Sequence, residues 1–186
     1  MRKIFSFLVT TVDGYYEGPN QEFDWPVVDD EFNEFSERQL DGVDILLFGR
    51  VTYQGMAAYW PTRAAQEDDR RIAARMNNLS KIVVSRSLDK AEWANTRLVK
   101  GDVAEEINVL KRQPGKDIAI LGSSSLTLSL LQLRLVDELR IMVMPVVLGD
   151  GRSLFRTSDK RISLKLLKTR YFSSGNVLLT YQPAAR

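Results

Sequence analysis

Three short stretches of this chain gather residues that bind anions. Gly49-Arg50-Val51-Thr52-Tyr53 follows one apolar run, Ser85-Arg86-Ser87 follows another, and Gly122-Ser123-Ser124-Ser125 follows a third. Each reads as a strand giving way to a helix. At the carboxyl ends of parallel strands a ligand sits in the crevice, and helix N-termini aim unpaired N–H groups and a positive dipole end at phosphate. Gly49 and Gly122 let the backbone come close, Thr52 and the serines donate hydroxyl bonds, and Arg50 and Arg86 can fork onto a phosphate. One such junction often exists only to make a turn; three in one small sheet suit a dinucleotide. Ser85-Arg86-Ser87 favours the form with a 2′-phosphate, because an Asp or Glu at that strand tip would select free ribose hydroxyls. The competing reading leaves Ser85 and Ser87 as turn caps and Arg86 as a solvated charge. Gly149-Asp150-Gly151-Arg152 opens no evident helix, so it is no Rossmann fingerprint, and there is no P-loop.

The chain has no histidine and no cysteine, which excludes thiolate nucleophiles, serine–histidine triads, imidazole acid–base catalysis and Cys/His zinc sites. Proton chemistry falls to Asp, Glu, Tyr, Lys or water. A second concentration of unusual residues runs from Thr11-Val12-Asp13-Gly14-Tyr15-Tyr16-Glu17-Gly18 through Phe23-Asp24-Trp25-Pro26 to Asp29-Asp30. Its glycines imply a loop, and its aromatics can cover a flat ring; equally, Trp25 and Tyr15 can pack against the first helix. Asp29 and Asp30 are either caps or, at a helix start facing a pocket, proton sources. Glu67-Asp68-Asp69 lacks a metal-loop pattern and reads as a charged helix face, so no metal is expected.

The elements that must position these groups alternate. Apolar runs at Ile4–Val12, Asp44–Phe48, Lys81–Ser85, Asp117–Leu121 and Leu139–Leu148 are separated by helical spacing, which predicts an α/β sheet, mainly parallel. Asp29 or Asp30 caps a helix with Phe32, Phe35 and Leu40 on one face, ended by Gly42. Helical stretches at Val51–Ala58 and Arg63–Asn77 are split by Trp60-Pro61. Asp102 caps a helix carrying Val103, Ile107 and Leu110, and Ser123–Leu135 is leucine-rich. Ile162, Leu164 and Leu166 alternate with polar residues, and Ser173-Ser174-Gly175-Asn176 leads into Val177–Tyr181, which predicts a C-terminal antiparallel hairpin.

The chain's 186 residues, 44% apolar and 27% charged, fit one domain over 1–186 with its own core. Its 26 Lys and Arg against 24 Asp and Glu form no basic stripe, so nucleic acid is not an expected partner. No apolar run reaches the length of a membrane span, and the opening residues lack a signal-peptide pattern; a cytoplasmic protein acting on a small molecule is expected.

These residues carry a resemblance. Val12-Asp13-Gly14-Tyr15, Leu47-Phe48-Gly49-Arg50-Val51-Thr52-Tyr53-Gln54-Gly55-Met56, Lys81 to Leu88, Leu121 to Leu126, and Val136-Asp137-Glu138-Leu139 through Pro145 to Gly151 together resemble the dihydrofolate-reductase-like superfamily. Within it, the match is to stand-alone relatives of the C-terminal reductase domain of bifunctional riboflavin-biosynthesis deaminase/reductase proteins. The resemblance implies a three-layer α/β/α sandwich around a mixed sheet, with an antiparallel C-terminal hairpin. It implies NADPH as cofactor, held by Gly49, Arg50, Val51 and Thr52, by Ser85, Arg86 and Ser87 at the 2′-phosphate, and by Gly122, Ser123, Ser124, Ser125 and Leu126 at the pyrophosphate. The nicotinamide would lie near Val9, Tyr16 and Gly18, the substrate near Asp13, Trp25, Asp29 and Tyr53, and Asp30 would supply the proton. The activity implied is hydride transfer to a pyrimidine- or pterin-like heterocycle, with 5-amino-6-(5-phosphoribosylamino)uracil reduction first and dihydrofolate reduction as an alternative. The chain departs from the riboflavin-pathway pattern in lacking its Asp-Asp-Pro-x-Leu stretch, and from the folate pattern in having Gly122-Ser123 for a glycine pair. A nucleotide-binding protein without turnover and a purely structural domain are the competing classes. A homodimer is expected, and Leu139–Leu148 is either a source of a sheet-edge contact or, equally, a buried strand.

Overall fold

The structure, a computed structural model, describes residues 1–155 and 161–184. Ten strands and six helices follow in the order β1 (Ile4–Thr11), β2 (Tyr15–Glu17), α1 (Asp30–Asp41), β3 (Val43–Gly49), α2 (Arg50–Tyr59), α3 (Arg63–Asp68), α4 (Arg70–Asn78), β4 (Ser80–Val84), β5 (Thr96–Val99), α5 (Val103–Arg112), β6 (Asp117–Leu121), α6 (Ser124–Gln132), β7 (Glu138–Met144), β8 (Arg152–Ser153), β9 (Leu164–Tyr171) and β10 (Val177–Pro183).

Eight strands form one sheet in the order β5-β4-β3-β6-β1-β7-β10-β9. The first six are mutually parallel, and β10 runs antiparallel to both β7 and β9. Because both faces of the sheet are covered at β1, its sequence IFSFLVTT is buried nearly throughout rather than alternating, Ser6, Thr10 and Thr11 included. Its successive side chains feed two different cores. Ile4 and Leu8 join Leu47, Ile82, Ile118, Ile120, Leu130 and Leu139 on one face, under α5 and α6. Phe5 and Phe7 join Leu46, Phe48, Val83, Trp93 and Met142 on the other, under α1, α2 and α4. The sheet is therefore the middle of three layers, as the resemblance implies.

Several expectations are met at the capping residues. Asp29 accepts from the Phe32 N–H at 2.8 Å and starts α1, and Asp102 accepts from Ala104 and Glu105 to start α5. Others need correction. Arg63–Asn77 is two helices, because Asp69 breaks out to φ −152° and caps the second through Arg71 and Ile72. Of the two readings of Leu139–Leu148, the buried strand holds and the sheet edge does not: β7 lies between β1 and β10, and Pro145 ends it; the edges are β5 and β9, and β9 shows Leu166, Leu167 and Tyr171 to solvent. The leucine-rich helix stops at Gln132, where Arg134 takes a left-handed φ of +57°. Strand β5 and the small β2–β8 ribbon have no counterpart in the expected elements. Among the described residues no helix is long and apolar enough to cross a membrane.

Candidate functional site

Parallel register brings the three junctions to one edge. Phe7 pairs with Leu121, Leu47 with Ile120 and Gly49 with Val84, so β6, β3 and β4 end at a common level while β1 runs on four residues further, to Thr11, beside β7. The chain leaves β6 by two successive left-handed residues, Gly122 at φ +67° and Ser123 at φ +57°. The first suits glycine; the second is strained for serine. The turn is held on both sides: the Gly122 N–H donates to the Phe7 carbonyl at 3.0 Å, and the Gly49 N–H donates to Ser123 Oγ at 2.8 Å. Glycine at 122 also leaves room for α2, since a Cβ there would stand a tight 3.1 Å from Thr52 Cγ2. The starts of α2 and α6 are thus locked against each other.

Neither of those two helices has a side-chain cap. Their first N–H groups are left without intrahelical partners at the sheet edge, which is the arrangement that receives phosphate. Arg50 is exposed there and donates to Gln54 Oε1 at 3.0 Å; Val51 is exposed beside it. Ser124 is half-buried and Ser125 exposed, whereas Leu126 turns into the core beneath Gly49. At the end of β4, buried Ser85 accepts from the Ser87 and Leu88 N–H groups at 3.2 and 3.0 Å, so its hydroxyl makes the turn that presents Arg86 and Ser87 to solvent. The residues present fit a dinucleotide's phosphates: a close-approach glycine, two uncapped helix starts and two outward arginines.

The other half of the edge lies over β1 and β7. Asp13 accepts from Thr11 Oγ1 at 2.6 Å and from the Gly149 and Leu148 N–H groups at 2.8 and 3.3 Å. Those bonds, the Thr11 hydroxyl foremost, hold its carboxyl below the usual range. Asp13 is thus a clamp that ties the turn after β1 to the loop after β7, and the β2–β8 ribbon, with the Glu17–Arg152 pair at 2.9 Å, ties them again. Val9 and Tyr16 are half-buried and pack against opposite cores, and Gly18 is buried in a turn where its N–H meets the Glu22 carbonyl. Trp25 packs against the α1 side, edge-on to Phe23 at 5.4 Å, and its indole N–H is buried without a partner among the described residues.

Asp29 caps α1, and Asp30, its first residue, stands exposed with no ion pair among the described residues. Tyr53, placed by the resemblance near the substrate, is instead a core residue: its hydroxyl accepts the Trp93 N–H at 3.0 Å and its ring lies 6.2 Å from the Trp93 ring. It follows Thr52 by one residue, and the 100° turn of a helix carries it to the sheet side.

Two contacts that position this edge were not read from the sequence. One is the Ser123 hydroxyl bridging two loops 74 residues apart. The other is Glu31, which accepts from the Ser173 N–H and hydroxyl at 2.9 and 3.0 Å and from Arg170 at 2.9 Å, staples α1 to the β9–β10 turn, and has its carboxyl pulled down mainly by the Ser173 N–H. A surface depression of about 500 Å³ lined by Leu40, Asp41, Arg71, Arg75 and Lys116 lies at the opposite edge, by the start of β3. There Arg75 is paired with Asp41 and Glu37, and Arg71 with Glu37, so its charges serve the α1–α4 contact.

The chain is 36% identical over 182 residues to the uncharacterized protein YyaP of Bacillus subtilis (strain 168), covering 97% of this chain and 94% of that protein. The fold is shared with a diaminohydroxyphosphoribosylaminopyrimidine deaminase/5-amino-6-(5-phosphoribosylamino)uracil reductase of Thermotoga maritima at a TM-score of 0.70 and 16% identity, over 98% of this chain and 57% of that one. It is shared also with a dihydrofolate reductase of Enterococcus faecalis complexed with NADP(H), at a TM-score of 0.64 and 15% identity, over 98% and 97%. The model of the RibD C-terminal domain matches residues 2–178. With its mixed sheet and its two interlocked helix starts, the chain belongs to the RibD C-terminal domain family.

Proposed function

We propose that the protein is an NADPH-dependent reductase acting on a flat pyrimidine- or pterin-like heterocycle. The observation that carries this reading is the pair of uncapped helix starts, α2 and α6, locked together by Ser123 and flanked by Arg50 and Arg86. When bound, NADPH would supply hydride from its nicotinamide C4 to an electrophilic C=N or C=O carbon. The chain's own part is to hold the phosphates at the α2 and α6 N–H groups and the two arginines, and to orient the ring beneath the loop that Asp13 clamps. With histidine absent, Asp30 or a water it holds is the proton source at the start of α1.

The test is titration of the purified protein with NADPH and with NADH, followed by nicotinamide fluorescence and melting temperature. Preferential NADPH binding, weakened about tenfold or more in Arg86→Ala and in Arg50→Ala, is expected, since each removes a charge-assisted contact worth about 1.5–3 kcal/mol. Absence of binding by either nucleotide overturns the reading. One observation favours a second reading, a nucleotide-binding protein without turnover: Asp30 stands in water rather than in an enclosed pocket. On that reading Asp30→Asn leaves NADPH binding intact, and no heterocycle accelerates NADPH oxidation in either protein.

A further inference from the structure

We propose that Asn176 positions the loop before α1, and that it does so around one internal water shared with Ser174 and Trp25. The water and the anchoring of the loop do not depend on the reductase reading above; their bearing on the active edge rests on it.

Between β2 and α1 the loop makes its hydrogen bonds mostly with itself: the Gly18 N–H to the Glu22 carbonyl, the Gln21 N–H to the Gly18 carbonyl, and both amides of Asn20 to the Glu22 carboxylate. Among the described residues one hydrogen bond ties residues 18–28 to the sheet, from Asn176 Nδ2 to the Val27 carbonyl at 2.9 Å. Asn176 is 0% exposed, and its own carbonyl accepts the Phe172 N–H at 3.0 Å, which closes the β9–β10 turn. The same turn holds Glu31 through Ser173. Val27 and Glu31 lie on either side of Asp29 and Asp30, so this turn fixes both ends of the stretch that carries the two carboxylates.

The Asn176 amide has one workable orientation. Its nitrogen faces the Val27 carbonyl, because its oxygen there would set two acceptors against each other. Oδ1 is thereby turned away, and it is buried without a donor among the described residues. Four buried side-chain atoms of the described residues lack a partner, and three belong to the two segments that this bond joins: Trp25 Nε1, Ser174 Oγ and Asn176 Oδ1. They are a donor, a group that does either, and an acceptor.

Buried polar groups without partners are costly and rare, so three in two joined segments mark a place that something polar fills. No ion serves all three, since the amide oxygen refuses an anion and the indole N–H refuses a cation. A water accepts from Trp25, donates to Asn176 and bonds Ser174 in either sense, about the three bonds usual for an internal water. A ligand hydroxyl has the same chemistry, but Asn176 shows no surface for it to reach.

The experiment uses the whole protein without ligand, isotopically labelled at its three tryptophan indoles, with the Trp25 signal identified by its loss in Trp25→Phe. The Trp25 indole proton is expected to show rotating-frame cross-relaxation with water. Trp93, whose indole donates to Asn77 Oδ1 at 2.8 Å, is the control that does not. Ser174→Ala supplies a test of sign. If the hydroxyl is a partner of the water, its removal should lower the melting temperature by about 2–4 °C; if the hydroxyl is unpaired, its removal leaves the melting temperature level or raises it. In a Trp25→Phe background the fall should be smaller, because the two side chains share the water. Asn176→Ala should abolish the Trp25 cross-relaxation and open residues 18–28 to hydrogen exchange while the β1 and β6 amides stay protected; where alanine does not fold, Asn176→Asp is read in its place. Absence of the cross-relaxation in the parent, a level or raised melting temperature in Ser174→Ala, or unchanged exchange over residues 18–28 overturns the proposal. Titration of the parent with NADPH judges the reductase reading separately: if it does not bind, that reading falls, and the water and the loop are still decided by the indole, melting and exchange measurements.

Discussion

Ser123 is the residue on which the two phosphate-side loops depend. Its hydroxyl accepts the Gly49 N–H, and its own backbone is left-handed. These two properties oppose each other in mutation. Ser123→Ala keeps the strain and orphans the Gly49 N–H, which should cost about 1–2 kcal/mol of unfolding free energy by urea titration and weaken NADPH binding. Ser123→Gly loses the same bond but removes backbone strain of about 1 kcal/mol, so its stability should fall less than that of the alanine variant while its nucleotide affinity falls alike. Far from the site, Lys81 is buried with its ammonium on the Met76, Asn77 and Leu79 carbonyls at 2.9, 3.0 and 2.7 Å and 4.5 Å from the Trp93 ring centroid. It closes the end of α4. Lys81→Met leaves those carbonyls unanswered and should lower stability by about 2–3 kcal/mol without altering nucleotide affinity. Single residues of the first kind were legible by type but not by partner: Ser123 stood out beside Gly122, while its acceptor role needed the α2 loop, 74 positions away. Tyr53 was misplaced because a spacing read along the chain does not say which side of α2 faces the sheet.

At the scale of elements, the legible ones had a side chain announcing their ends. Asp29 and Asp102 marked α1 and α5 because a carboxylate before an apolar period has one common use. The break between α3 and α4 was missed because Asp69 sits in an acidic run that a single charged face explains equally well. Strand β5, with only four residues and a half-polar pattern, is paired by β4 rather than by any alternation of its own. The β2–β8 ribbon depends on a loop contact that no local pattern encodes, and Asp13 is its anchor. Because folding lowers that carboxyl's pKa below its ordinary 3.8, the anchor's stabilisation is present above that value and is lost as pH falls through the lower, folded one. Asp13→Asn should therefore melt below the parent at pH 6, and the difference in melting temperature should shrink as the pH is brought under 4.

For the whole molecule, the sheet order separates β4, β3 and β6, which end together at the phosphate side, from the β10–β9 hairpin, which supports α1 through Glu31 and Ser173. The class of sheet and its antiparallel end were legible from alternating periods. Strand order was not, since β6 enters between β3 and β1 and β10 between β7 and β9, and such insertions are chosen by packing on both faces rather than by neighbours in sequence. Removing β10 should show this: a chain cut after Gly175 loses the partner of both β7 and β9, and its thermal unfolding should become broad and weakly cooperative, as followed by circular dichroism.

The position of β10 also sets a timetable. Strand β9 is made before the strand that joins it to the sheet, so a chain emerging from the ribosome carries eight residues, Leu166, Leu167 and Tyr171 among them, with an unpaired backbone on both edges until β10 follows. Synthesis adds about 5–20 residues per second, so this interval lasts on the order of a second. During it Lys165, Lys168 and Arg170, spread along the segment, are like charges that disfavour pairing with another nascent copy. The cationic spacing of β9 is thus a safeguard for the newborn chain, one the finished sheet needs on a single edge only.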